Sequence, residues 1–445
     1  MSFNPIVIIV SLCGLYLLIR LRFFFILHPI RTARQVFRGL KRWDTLRSLF
    51  LALSGTLGVG NILGVAVGII VGGAGSVFWM LLSTVFASVL KYAEVTLSTD
   101  GATRDPHGAH GGMHYALVRF FGRVGGILAT VYSVSVILLS FSMGAALQSA
   151  ALVGSVGAIF DTPPIIIGVL LAFVVLFTVV FGTRIIEKIT AVVIPLTTII
   201  YIILTISVIV VCRENISGAV VSILSSAFSK SSALGGAFGF LFSCAVSEGF
   251  SRGLLSNEAG AGTSSIAHAR GSSLHPSMCG IMGIVEVVFD TTILCTLTAL
   301  AILCAVPDHA SFTDGMSLVI AMTFPLGLSA PAILCFCISA FAFSTVVCWY
   351  FYSTESYYAI FGRRCVILLP LYLSAIIYGS VSSSYSLIIF TDVLLFILTA
   401  ITSFLLIKKS DRICTLSEGF GLYGRPGRLF KFKKSGFKIP KRGIR

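Results

Sequence analysis

Long apolar runs separated by short polar connections recur along the whole chain. Apolar runs of about 18 residues or more cross a bilayer as helices. They predict spans near 4–27, 48–71, 75–97, 124–153, 164–182, 190–212, 234–250, 278–306, 317–350, 365–380 and 384–407. In the ninth of these eleven, Pro325 and Pro331 mark a lead-in before a helix from about Ala332. Two runs are interrupted by glycine-rich polar segments. One reads Ser54-Gly55-Thr56-Leu57-Gly58-Val59-Gly60-Asn61-Ile62-Leu63-Gly64, and the other covers Glu248 to Gly260. A helix in lipid satisfies its own backbone, so unwound segments survive only where protein or water covers them. Paired interruptions in corresponding places point to a transporter's binding site.

Setting the first span aside leaves ten, and each break opens a set of five. The two sets cross the bilayer in opposite directions, which is the pattern of an inverted repeat. No residue-level identity links the halves, so the repeat rests on topology and break position. The chain then divides into an N-terminal span with a basic loop (1–47), two five-helix repeats (48–212 and 213–407) and a basic tail (408–445). At each break the free N–H ends attract a carboxylate, while the free C=O ends attract Na⁺ or an ammonium. One site can hold both poles of a zwitterion and a cation.

Composition agrees: 56% of residues are hydrophobic and 11% charged, against about 25% charged in a soluble domain. The fold class expected is therefore an all-α polytopic membrane protein. A net charge of +15 raises nucleic acid as a partner, but its placement argues for a membrane. With the loop from His28 to Arg47 cytoplasmic, every Lys and Arg except Arg213 and Lys230 falls inside, as the positive-inside rule requires. This puts the N-terminus outside and the C-terminus in the cytoplasm. No Lys or Arg precedes the first apolar run, so it reads as a retained span rather than a cleaved signal. Lys431, Lys433, Lys434 and Lys438 in the tail, interleaved with Phe430, Phe432 and Phe437, either hold anionic lipid or anchor topology. The eleven cysteines show no ligand spacing and read as small apolar fillers. Nothing in the pattern specifies an oligomer.

The stretch Gly58-Val59-Gly60-Asn61 lacks the Lys of a phosphate loop and lies in an apolar run, which excludes nucleotide binding. Its glycines serve either close approach of a ligand to the backbone or helix packing. Glu286 and Asp290, one turn apart, read as a structural polar network. Metal binding by His107, His110 and His114 is disfavoured by the surrounding glycines and Pro106. No nucleophile–base pair is visible and no loop is long enough for a soluble catalytic domain, so an enzyme is not expected. An acid at membrane depth faces a cavity or a partner. Glu248 accordingly contacts a cationic group of the substrate, couples a proton, or is a protonated structural side chain.

Four motifs resemble the alanine or glycine:cation symporter family of the amino acid–polyamine–organocation superfamily. They are Gly55-Thr56-Leu57-Gly58-Val59-Gly60-Asn61-Ile62 with Phe78-Trp79-Met80; Lys91-Tyr92-Ala93-Glu94 with Gly111-Gly112-Met113; Arg252-Gly253-Leu254-Leu255-Ser256-Asn257-Glu258-Ala259-Gly260 with Ile266-Ala267-His268-Ala269; and Phe341-Ala342-Phe343-Ser344-Thr345 with Trp349-Tyr350. The resemblance covers most of the chain. It implies the five-plus-five fold of the bacterial leucine transporter and import of a small neutral amino acid, alanine or glycine, across a bacterial cytoplasmic membrane. Sodium is the co-transported ion it implies, with a proton as the alternative. Thr56, Gly58, Val59, Gly60 and Gln148 would meet the substrate, with Glu248, Phe250, Leu254, Thr345 and Trp349 completing the pocket. Ser54, Leu57, Ser344 and Thr345 would hold sodium, and Asn61 either serves a second cation or ties the break together. Val59 stands where relatives carry Thr, Ala145 and Ala150 replace asparagines, and the last span lacks a Pro-Asn pair. Val59 and Glu248 leave open a proton-coupled carrier of a larger or cationic amino acid.

Overall fold

A computed structural model describes residues 5–105, 108–228, 244–271, 275–382 and 385–422. The helices are α1 (Pro5–Arg20), α2 (Pro29–Leu40), α3 (Trp43–Thr56), α4 (Val65–Gly72), α5 (Ser76–Thr99), α6 (Met113–Leu139), α7 (Leu147–Gly157), α8 (Pro164–Val180), α9 (Thr183–Val211) and α10 (Ile216–Ala227). They continue with α11 (Cys244–Ser256), α12 (Pro276–Val287), α13 (Thr296–Ala305), α14 (Gly315–Ala321), α15 (Ala330–Phe361), α16 (Leu368–Val381), α17 (Tyr385–Lys408) and α18 (Ser410–Gly419). Among the described residues, apart from a small antiparallel hairpin, β1 (Thr103–Asp105) with β2 (Gly108–His110), the regular structure is helical. Proline at the first turn starts α2, α8 and α12, where its missing N–H costs nothing. Gly362, at φ 66°, closes α15 in the left-handed conformation that a side chain resists.

Among the described residues six helical stretches are long and apolar enough to cross a membrane, seven if α3 and α4 form one bent span. Shorter apolar helices are Pro5–Arg20, Pro164–Val180, Gly315–Leu326 and Leu368–Val381. The molecule is an integral membrane protein of several spans. On α8 the exposed side chains include Ile166, Leu170, Phe173 and Phe177, while Leu171, Ala172 and Val175 turn inward. A wholly apolar outward stripe belongs against lipid tails.

Helix α5 is the central post, and from Ala87 to Thr99 every residue is buried. It packs against α11 on one side and α12 on the other. Small residues make that approach possible: a Cβ on Gly253 would lie 2.9 Å from the Met80 carbonyl, and one on Gly280 would lie 2.8 Å from the Tyr92 carbonyl. Around this post α9 packs on α15, α8 on α16, and α6 on α15. One end is braced by α18. Arg412 donates to Asp100 at 2.8 and 3.1 Å, and these bonds hold its guanidinium above its usual range. Tyr92 and Ser417 share a 2.6 Å hydrogen bond.

One expectation needs correction. The interruption placed at Glu248–Gly260 begins later: α11 is continuous to Ser256, and the chain unwinds only from Asn257. Glycines at 249 and 253 signal close packing on α5 there, not unwinding. The stretch 317–350 divides at its prolines into α14, a short turn at Phe324–Leu326, and α15 starting at Ala330, the lead-in and helix that Pro325 and Pro331 marked. The span expected near 124 follows a kink at Gly122, whose non-helical backbone (φ 55°, ψ −121°) separates it from the helical segment starting at Met113, and it runs on into α7. Residues 234–243 of the seventh expected span, His107, and the tail beyond residue 422 lie outside the described residues.

Gly253→Val forces a branched side chain into the α5–α11 contact, an overpacking that costs about 1–3 kcal/mol. The purified variant is expected to melt several degrees below the parent, and an unchanged melting temperature would refute this packing account.

Candidate functional site

The first break is a bend of 55° between α3 and the segment from Gly60 to Gly72. The turn Leu57–Val59 leads into a π-helical stretch, Gly60–Gly64, before α4 resumes. Two elements close on the turn. Gln148 at the start of α7 accepts the Val59 N–H at 3.3 Å, and Thr345 of α15 donates its hydroxyl to the Leu57 carbonyl at 3.4 Å. A Cβ on Gly58 would stand 3.1 Å from both Gln148 Oε1 and Thr345 Oγ1, so glycine lets these two side chains approach the turn closely. Gly60 is exposed, and a Cβ there would meet nothing within 4 Å. The hydroxyls of Ser54, Thr56 and Ser344 bond back to Leu51, Ala52 and Phe341 on their own helices.

Beside the turn lies a buried polar node centred on Asp290. This residue sits in a second π-helical stretch, Val288–Cys295, between α12 and α13. Its carboxylate accepts from Asn61 Nδ2 at 2.7 Å, Ser256 Oγ at 2.9 Å and Thr291 Oγ1 at 2.7 Å. Asn61 also donates to the Asp290 carbonyl at 3.1 Å. Asn257, the first unwound residue after α11, donates to Gly253 O and Thr291 Oγ1. Asn61 of the first interruption and Asn257 of the second are thus linked through Thr291 and the Asp290 carboxylate, which is wholly buried. Asn61 Oδ1 has no hydrogen-bond partner among the described residues. A third π-helical stretch, Ser140–Ala146, immediately precedes Gln148. π-Turns of this kind recur at functional sites because they redirect side chains out of the helical register.

The second break runs from Asn257 to Ser264 and folds into a tight polar turn. Ala259 N–H donates to Asn257 Oδ1 at 3.0 Å, and Tyr132 donates its hydroxyl to the Ala261 carbonyl at 3.0 Å. Gly260 N–H donates to Glu94 on α5. Lys91, one turn earlier on α5, donates to Ser264 at 2.9 Å and lies 3.6 Å from Glu286. His268 lies 2.8 Å from the other oxygen of Glu286. Glu286 therefore belongs to a buried network, as the sequence suggested, while Asp290 bonds to Asn61 of the first interruption. Asp290 was legible only as one member of an acidic pair. Its pairing with Asn61 needed the fold.

The remaining expected residues distribute differently. Trp349 is fully buried and packs on Gly144 of the π-helical stretch beside Gln148, with its Nε1 unpartnered among the described residues. Leu254 is buried on α11. Phe250 faces α5 instead, with ring centroids 6.1 Å from Trp79 and 5.9 Å from Phe86. Glu248 is no lone membrane acid: Arg252, one helical turn on, donates to it at 3.2 Å, and both line a narrow cavity with Gly68, Ser76 and Met80. The i,i+4 spacing of that pair was the overlooked signal. His110 pairs with Glu355 and His114 with Ser133, so those imidazoles have separate partners. Among the described residues no disulfide joins the cysteines.

The profile of the sodium:alanine symporter family matches residues 1–415. A sodium/alanine symporter of Methanococcus maripaludis, AgcS, is 31% identical over 325 residues, covering 72% of this chain and 71% of that protein. A probable sodium/glutamine symporter of Bacillus subtilis, GlnT, is 28% identical over 352 residues, covering 76% and 71%. Among solved structures, MhsT in complex with L-phenylalanine superposes with a TM-score of 0.55 at 13% identity, covering 84% of this chain and 89% of that one. That likeness is one of fold.

Asp290→Ala strips the shared acceptor from Asn61, Ser256 and Thr291, and each orphaned buried donor costs about 1–3 kcal/mol. A marked fall in melting temperature is expected, with Asp290→Asn restoring most of it. Equal stability of the alanine variant and the parent would remove the node from this account.

Proposed function

The chain belongs to the sodium:alanine symporter family, and from that premise we propose that it imports a small neutral amino acid, alanine or glycine, with Na⁺ by alternating access. Members of this family are sodium-coupled amino acid carriers and not enzymes. The observation that carries the reading is the turn at Leu57–Val59. It presents a backbone N–H to Gln148 and a backbone carbonyl to Thr345 within one short unwound segment. A substrate carboxylate suits the N–H side around Gly58, Val59 and Gly60, and hard carbonyl and hydroxyl oxygens suit Na⁺.

In this proposal Leu57 O and Thr345 Oγ1, with Ser54 and Ser344 beside them, take one sodium as cargo. The unpartnered Asn61 Oδ1 and the Asp290 carboxylate supply hard oxygens for a further cation. Gln148 and Trp349 border the substrate. Eleven spans in a five-plus-five inverted repeat, preceded by α1, supply the framework, with segments 48–212 and 213–407 as the two halves. The N-terminus then lies outside a bacterial cytoplasmic membrane and the basic tail inside, where it meets anionic lipid. Na⁺ entry drives accumulation, since each charge moved down the potential yields about 2.3 kcal/mol per 100 mV. Arg252 neutralises Glu248 across 3.2 Å, so a cationic substrate or a coupling proton is not assigned to that side chain.

Proteoliposomes with an inward Na⁺ gradient are expected to accumulate labelled alanine or glycine, and to lose accumulation when the gradient is dissipated. Gln148→Ala removes the hydrogen bond to Val59 N–H, worth about 0.5–1.5 kcal/mol, and should raise KM up to roughly tenfold. A Cβ at Gly60 meets nothing within 4 Å, so Gly60→Leu should insert normally yet abolish uptake. Full uptake by the Gly60→Leu protein would place the substrate elsewhere.

A further inference from the structure

The second break carries a carboxylate that symport at the first break does not use. Glu258 is 3% exposed and adopts φ 52°, a left-handed conformation that a non-glycine residue occupies only under constraint. Held strain of this kind concentrates at functional positions. Its Oε2 accepts from Thr263, while its Oε1 has no hydrogen-bond partner among the described residues.

The surroundings leave this carboxylate without a charge of its own to pair with. Four acids, Glu94, Glu258, Glu286 and Asp290, are buried in this part of the core, against one ammonium, Lys91, and one imidazole, His268. Lys91 is engaged by Ser264 and Glu286, and His268 by Glu286. Asp290 takes three neutral donors, and Glu94 takes the Gly260 N–H. The titratable groups near enough to act on the charge of Glu258 are Lys91 on α5, Glu286 and Asp290 on the α12 segment, Tyr132 on α6, and Cys348 and Tyr352 on α15. Of these only Lys91 is cationic, and it lies beyond ion-pair distance of Glu258. Among the described residues no three acids, histidines or cysteines converge to hold a metal ion. A dry carboxylate with an open oxygen and no counter-charge is completed most simply by a proton.

We propose that Glu258 is an exchangeable proton site, binding one proton from water at its free oxygen and releasing it as the second break rearranges. Protonation removes the excess negative charge beside Lys91, leaving the Lys91–Glu286 pair intact. Release returns that charge and draws Lys91 away from Ser264, loosening the turn that α5 pins. The site deepens the symport reading by adding a second ion, but its geometry is independent of which amino acid is carried.

Difference infrared spectroscopy on the full chain in lipid, stepped between about pH 6 and pH 9, reads the site without substrate. The parent should show a protonated-carboxyl band that is lost at the higher pH. Glu258→Gln should lack that band, and Glu248→Gln should keep it. Absence of any such band in the parent, or its survival unchanged in Glu258→Gln, would overturn the proposal. If the glutamine variant does not fold, Glu258→Asp decides: a displaced band supports the site and an unmoved one overturns it. Na⁺-driven uptake is scored in parallel on the same preparation. Failed uptake with the band present would sink the symport reading and leave the proton site standing.

Discussion

Burying a carboxylate is unfavourable unless its lone pairs are filled, and Asp290 meets that condition only where three segments meet. Asn61 comes from the first interruption, Ser256 from the end of α11, and Thr291 from Asp290's own π-helical stretch. Removing any one leaves a buried polar group without its partner. The two unwound segments are therefore held in fixed relation by hydrogen bonding, where apolar contact alone would permit sliding. Helical irregularity and polar satisfaction depend on each other here: the π-turns aim these side chains inward, and the inward side chains keep the π-turns from relaxing to regular helix.

The same logic governs α5. Its half from Ala87 to Thr99 is surrounded by protein, and it carries Lys91 and Glu94 into that interior. Both reach the second break, through Ser264 and the Gly260 amide respectively. A buried ammonium is tolerable because Glu286 stands 3.6 Å away and His268 fixes that carboxylate from its other side. Close packing makes the contact possible, since Gly280 and Gly283 on α12 and Gly249 and Gly253 on α11 let α5 approach without intervening side chains. Bulk at those positions would separate the charges from the turn they hold.

Glu248 and Glu258 show how context divides two acids ten residues apart. Glu248 lies on a continuous helix with Arg252 one turn away, so its charge is locally balanced. Glu258 lies beyond the end of that helix in strained backbone and has no such neighbour. A reading by depth alone selects Glu248 as the unusual acid. Geometry transfers that distinction to Glu258.

Apolar run length by itself determined that this chain is a multi-span helical membrane protein, because lipid admits little else. The first interruption was legible at Leu57–Val59 from the glycines at 58 and 60, and at Gly58 a Cβ would crowd Gln148 and Thr345. The motifs around Gly58, Asn257 and Ser344 also carried the family. The end of α11 at Ser256 was not legible, because Gly249 and Gly253 read alike as unwinding or as close packing, and only the position of α5 distinguishes the two. Nor was the pairing of Asn61 with Asp290 across 229 residues, or the loneliness of the Glu258 carboxylate. Hydrophobic spacing encodes which residues avoid water, but which buried polar atoms find partners is decided by the arrangement of helices in space.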